Sequence, residues 1–228
     1  MRIGILQAGH APDVLIEKNG DYGVLFEKFL GGLGFDFDIY SVVDMEFPAS
    51  TGDAGGWLIT GSRHGCYDNL PFIAPLEDLV RDIWSQALPL VGICFGHQII
   101  AQALGGKVKK FRGGWSVGLT EYVFEGEKIS LNAWHQDQVT CLPNHATVTG
   151  SSEFCKNAFV SYGDKIFTLQ AHPEFDNMFL KGLIEHRGPG LVPPELLDQA
   201  RTNLVQSNES FVIKRKIATL FKSSKVDS

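Results

Sequence analysis

The chain has 228 residues, 44% of them hydrophobic, which is enough to bury one large core and predicts a single folding unit over residues 1–228. A formal net charge of −6 argues against a polyanion as the main partner, since nucleic-acid binders carry a basic surplus. No run approaches the ~20 apolar residues that span a bilayer, and the amino-terminal MRIGILQAGH lacks the apolar core of a secretion signal, so the expectation is a cytoplasmic enzyme of small-molecule chemistry with neither nucleic acid nor membrane as partner.

In chain order, residues 2–7 read as a strand. Residues 22–33 read as a helix with Val24, Leu25, Phe29, Leu30 and Leu33 at helical spacing. Strands are expected at 35–42 and 56–60, the latter running into Gly61-Ser62, and a helix at 75–87 carries Leu76, Leu79, Val80 and Ile83 on one face. The apolar run 88–91 is a further strand, followed by a helix over 95–104 that stops at Gly105-Gly106. This order predicts an α/β fold, a mostly parallel central sheet with helices on both faces. Between 117 and 168 the pattern changes to short strands and turns, including Leu142-Pro143-Asn144, so the second half adds antiparallel strands. A strand over 165–171 and helices over 176–186, 195–205 and 210–222 complete the chain, with 188–194 as a Pro/Gly-rich connector. The last helix carries Lys214-Arg215-Lys216 on its wet face, while Phe211, Ile213, Ile217, Leu220 and Phe221 pack on the body or on a second copy, which leaves a homodimer open.

Gly92-Ile93-Cys94-Phe95-Gly96 sits where strand turns into helix, the position of a nucleophile elbow. A residue at the tip of such a turn is held in a strained conformation, and flanking side chains would collide, so both flanks are glycine. The thiol then stands at a helix amino end, where free N–H groups and the helix dipole favour thiolate. The other cysteines, Cys66, Cys141 and Cys155, have no CxxC spacing, and no HExxH or Cys/His cluster is present, so neither a metal nor a cofactor is expected.

A thiol nucleophile needs a base and a group that orients the base. His172-Pro173-Glu174 offers both. Proline biases His172 toward extended backbone, and in an extended chain residues two apart share a face, so His172 and Glu174 can point together at Cys94. A surface histidine beside a turn proline is the competing reading of this tripeptide alone.

Taken together, GICFGHQ (92–98) and QAHPEF (170–175), with Thr60-Gly61-Ser62 and His135 to Pro143 in register, resemble the class I, or triad-type, glutamine amidotransferases, in their GMP-synthetase-like branch. The resemblance runs from the first strand to about Phe175 and implies a flavodoxin-like sheet with a catalytic core over about 1–185; the last fifty or so residues lie outside it, and their helical pattern makes about 186–228 a carboxy-terminal helical extension. It also implies a cysteine-dependent hydrolysis of γ-glutamyl amides. Cys94 forms a glutamyl thioester, His172 protonates the departing nitrogen and Glu174 orients His172. The backbone N–H groups of Gly61 and Phe95 hold the oxyanion, and Gln98 contacts the amino-acid end of the substrate.

The segment Ala133-Trp134-His135-Gln136-Asp137 departs from the Ser-His-Gly-Asp type of that branch, with Trp134 for serine and Gln136 for glycine. The Trp134 backbone can still hold an α-carboxylate. His135 and Asp137 line the substrate or brace the loop as a hydrogen-bonded pair. His64, Cys66, Arg63 and Tyr67 read as a solvated loop, and His10 and His97 as capping or packing residues. Because the chain has no room for a synthetase after the triad, three readings remain: a free-standing hydrolase of glutamine or of an N-substituted γ-glutamyl amide or peptide; a glutaminase subunit delivering ammonia to a separate synthetase; and, least favoured, a non-enzymatic redox-sensing relative.

Overall fold

In the computed structural model, which describes residues 1–223, the first half of the chain alternates strand and helix. It comprises β1 (Arg2–Leu6), α1 (Asp13–Asn19), α2 (Tyr22–Leu30), β2 (Asp36–Tyr40), β3 (Gly56–Ile59), α3 (Ile73–Ser85), β4 (Leu90–Ile93) and α4 (Phe95–Ala103). Seven strands follow: β5 (Lys107–Lys110), β6 (Ser116–Phe124), β7 (Glu127–His135), β8 (Asp137–Cys141), β9 (Ala146–Ser151), β10 (Phe159–Tyr162) and β11 (Ile166–Leu169). The helices α5 (Asn177–His186), α6 (Pro194–Asn203) and α7 (Ser210–Ser223) close the described chain.

Nine strands form one sheet in the order β2-β1-β3-β4-β11-β10-β9-β6-β7, while β5 and β8 pair separately. The strands from β2 to β11 in that order are parallel, and each later neighbour is antiparallel, as the change of pattern after residue 117 predicts. β3, β4 and β11 are buried along their whole length, which explains their unbroken apolar runs: a parallel sheet is covered on both faces.

The two faces alternate along each strand. Trp57, Ile59 and Leu90 pack under α3 and α4 with Leu76, Val80 and Ile100. Ile3, Ile5, Leu58 and Val91 pack on the other face with Phe26 and Leu30 of α2 and Ile213, Ile217 and Phe221 of α7. The last helix therefore covers the body of its own chain, although Phe211 is 57% exposed rather than buried with it. A third cluster joins Leu15 of α1, Phe179 and Leu183 of α5, and Leu197 and Ala200 of α6 to Trp134 and Phe175.

Element boundaries moved where turn chemistry outweighed apolar spacing. The helix expected over 22–33 ends at Leu30, since Gly32 and Gly34 adopt φ of +79° and +80°. α3 starts at Ile73 with Pro75 in its first turn, where a missing N–H costs no helical bond. The short α1 had no periodic signal over its seven residues. No helix among the described residues is long and apolar enough to cross a membrane.

Candidate active site

β4 and β11 are neighbours in parallel register, with Ile93 opposite Leu169, so the residues that leave these two strands emerge together at the carboxyl edge of the sheet. Cys94 leaves β4 there and its N–H donates to Leu169 O at 2.8 Å. The tip is strained: Cys94 has φ +52° and ψ −100° and caps the amino end of α4. Both flanking glycines are sterically required. A Cβ on Gly96 would stand 2.3 Å from the Ile59 carbonyl oxygen, and one on Gly92 2.6 Å from the carbonyl of Gly96.

Gly61 follows β3 and faces the same point: a Cβ there would lie 2.8 Å from His172 Cε1 and 3.8 Å from Cys94 Cβ. Among the described residues no hydrogen bond occupies the N–H of Gly61 or of Phe95, the first residue of α4, whereas Gly96 N–H donates to Thr60 O at 3.1 Å. Two free donors thus flank the thiol.

His172 arrives differently from the sequence expectation. β11 ends at Leu169; His172 makes a single bridge to Asn132 of β7, donating its N–H to Asn132 O at 2.8 Å, and Pro173-Glu174 form a turn rather than extended chain. The turn still brings the two side chains together, with His172 Nδ1 and Glu174 Oε1 2.7 Å apart and the side chains 5% and 1% exposed. The Cys94 sulfur stands close enough to the imidazole to act on it electrostatically. Burial works to lower the basicity of His172, but the Glu174 carboxylate and the neighbouring sulfur outweigh it and push the imidazole up to about 10. The second Glu174 oxygen is buried with no partner, so the carboxylate spends its charge on His172.

A cavity of about 270 Å³ opens over Cys94, with Gln98, Trp134, His135 and Asp137 in its lining. Gln98 uses its amide N–H groups on Asp137 O (3.0 Å) and Gln170 Oε1 (3.1 Å), which leaves its carbonyl oxygen for a ligand. Trp134 is 7% exposed and its carbonyl oxygen lies 4.0 Å from Cys94 Sγ. His135 pairs through Nδ1 with the backbone carbonyl of Asp137 at 3.2 Å, not with its carboxylate. The Asp137 carboxylate instead accepts from Tyr67 OH at 2.8 Å. Burial pushes His135 down to about 3, so it is neutral beside the charged pair.

The loop read as solvated contributes Ser62, Arg63, His64, Gly65 and Tyr67 to this wall. Lys110, Trp115 and Arg187 also line it and had no sequence signal: Lys110 is placed by pairing of β5 with Asp137 of β8, and Arg187 follows the last turn of α5, where a cation reads as a partner of the helix dipole. Lys110 acts electrostatically on the neighbouring Asp137 carboxylate, and Arg187 donates to Tyr22 OH at 3.0 Å. His10 and His97 lie outside the cavity. His10 bridges Asp21, which caps α2, and Asp44, while His97 packs against Thr168 Oγ1 at 2.8 Å. Among the described residues, no group of three or more His, Cys, Asp or Glu side chains is arranged to hold a metal.

A family model described as glutamine amidotransferase class-I matches residues 66–179, half of the chain. The chain is similar to Gamma-glutamyl peptidase 3 of Arabidopsis thaliana, 27% identical over 220 residues, covering 89% of this chain and 88% of that one. It is also similar to the glutamine-hydrolysing GMP synthase of Petrotoga mobilis, 29% identical over 164 residues, covering 68% of this chain and 31% of the synthase. Among solved structures, a glutamine amidotransferase from Thermotoga maritima superposes with a TM-score of 0.74 at 24% identity, over 100% of this chain and 99% of that one.

Proposed function

The chain belongs to the class-I glutamine amidotransferase family, a C–N hydrolase of glutamine-amidotransferase or γ-glutamyl hydrolase type, and from that premise we propose that it works alone, hydrolysing a γ-glutamyl amide with Cys94, His172 and Glu174 as its triad. The observation that carries the proposal is the buried His172–Glu174 pair, 2.7 Å apart, set beside the Cys94 sulfur at a cavity where the Gly61 and Phe95 N–H groups have no other partner.

The steps follow from that geometry. The Cys94 thiolate attacks the γ-carbonyl carbon, and the oxygen that gains the negative charge is stabilised by Gly61 and Phe95 N–H, each donor worth ~10²–10³ in rate. The His172 imidazolium gives its proton to the nitrogen as the C–N bond breaks, releasing ammonia or an amine and leaving a glutamyl thioester on Cys94. His172 then takes a proton from water, which attacks the thioester; glutamate leaves and the thiolate returns. Gln98 Oε1 suits the substrate ammonium, and Arg63, Lys110 and Arg187 suit its α-carboxylate.

Similarity along nearly the whole length of a γ-glutamyl peptidase supports a free-standing hydrolase, with a catalytic body and helices α6 and α7 forming one unit. The four cysteines are free thiols, which suits the cytoplasm. The second reading, a glutaminase subunit feeding ammonia to a separate synthetase, is supported by the match to a 31% portion of a GMP synthase. Incubating the purified protein with free glutamine, γ-glutamyl amines and γ-glutamyl peptides, with mass detection of glutamate, separates the two. Turnover of at least one compound by the protein alone supports the first; activity only on addition of a synthetase supports the second.

A further inference from the structure

The ring of Phe175 lies flat on the imidazole of His172, with centroids 4.0 Å apart and planes 4° from parallel. Nearly parallel rings with centroids this close overlap face on face at least in part, nearer than the 4.5–7 Å at which neutral aromatic pairs settle. A cationic ring is drawn into such a contact, since the negative face of phenylalanine attracts positive charge. The contact therefore suits imidazolium better than imidazole.

Phe175 has no freedom to leave. It is 1% exposed, its ring also meets Tyr22 at 6.1 Å and Phe179 at 4.7 Å, and its carbonyl accepts from Asn132 Nδ2 (2.9 Å) and Asn208 Nδ2 (3.2 Å). Asn132 also accepts the His172 N–H, so one residue of β7 pins both ends of the His172–Phe175 turn.

We propose that Phe175 is a positioning residue for the hydrolysis, fixing the plane of His172 and stabilising its charged form through a cation–π stack. This rests on the reading that His172 is the acid and base of the reaction. The titratable groups beside the imidazole are Glu174 on its own turn, Cys94 on the elbow and His135 on β7; Tyr22 on α2, whose hydroxyl is held by Arg187 at the end of α5, neighbours Glu174 and Cys94. Glu174 and Cys94 favour imidazolium, His135 is neutral, and the stack adds to the effect of the first two.

Pentafluorophenylalanine at position 175 keeps the shape of the ring and reverses its quadrupole, and Phe175→Leu removes the ring. The His172 resonance is followed by NMR across pH in isotope-labelled protein, beside the alkaline limb of kcat/KM. Both replacements are expected to move the His172 titration and that limb downward by about half to one and a half pH units, with Phe175→Tyr restoring wild-type behaviour. A packing role alone would lower thermal stability without moving the titration. If the fluorinated ring leaves the His172 titration at its wild-type position, the proposal is overturned, whether or not Phe175→Leu folds. Because the NMR titration needs no substrate, failure to find a γ-glutamyl substrate would count against the proposed function while the stack is judged separately.

Discussion

His172 and Glu174 meet through a single 2.7 Å contact, Nδ1 to Oε1, in a place almost closed to water, so the charge of one depends on the other. Glu174→Gln keeps the shape and removes the charge. The imidazole is then left with burial, which lowers its basicity, and one anionic neighbour fewer to raise it. We expect kcat to fall by ~10²–10⁴ and the alkaline limb of the pH profile to move to lower pH. A variant with wild-type kcat and an unmoved limb would remove Glu174 from the mechanism.

His172→Ala should cost stability as well as turnover. It leaves the Glu174 carboxylate, whose second oxygen already lacks a partner, buried without a counter-ion. Breaking a buried pair in this way costs about 3–5 kcal/mol. Paired His172→Ala and His172→Ala/Glu174→Leu proteins, compared by urea denaturation, should show the second recovering much of the loss; equal stabilities would contradict the buried-charge account.

Gly96→Ala tests the elbow. The new methyl would lie 2.3 Å from the Ile59 carbonyl, so the strand end or helix start must shift. Overpacking of this kind costs about 1–3 kcal/mol, and the shift displaces Cys94 from the two free N–H groups, so kcat should fall at least tenfold. Gly61→Ala is expected to spare stability more and activity less, because its methyl pushes on the His172 ring at 2.8 Å, a side chain rather than backbone. Denaturation and steady-state kinetics on both variants check the contrast.

Buried histidines set the acid limit of the fold. His97 and His135 are each pushed down to about 3 by burial, from 6.5 in an exposed chain. Between those values the unfolded chain binds protons that the native state refuses, so stability present above pH 6.5 is lost as pH falls toward 3, by a few kcal/mol in order of magnitude. His172 has the opposite sign: its contribution is complete below 6.5 and fades as pH rises through about 10. Melting temperature against pH should therefore drop on the acid side in wild type and drop less in His97→Gln, whose side chain does not titrate. Identical acid slopes would show that His97 is not responsible.

The parallel half of the sheet was legible because each strand is an unbroken apolar run and each helix keeps its apolar stripe, as in β3, β4 and α3. The elbow was legible because its steric demands are local: glycine, strained cysteine, glycine. The pairing of His172 with Glu174 was read from an extended backbone, and the structure reaches the same contact through a turn pinned by Asn132, a long-range bond that no local pattern encodes. Arg187, Lys110 and Trp115 escaped notice for the same reason. Lys110 is an exposed strand residue, while Trp115 and Arg187 stand just outside β6 and α5, and each joins the cavity only through the tertiary arrangement around Cys94.

The central claim concerns one sulfur, and a glutamine analogue carrying a diazoketone in place of the amide tests it directly: once its diazo carbon is protonated, a thiolate held beside the carbonyl displaces N2 and forms a C–S bond. Peptide mapping after exposure should find one analogue per chain on Cys94, with turnover lost in step and no label in Cys94→Ser. Label on Cys66, Cys141 or Cys155 with Cys94 unmodified, or full turnover after Cys94 has been alkylated, would contradict the account.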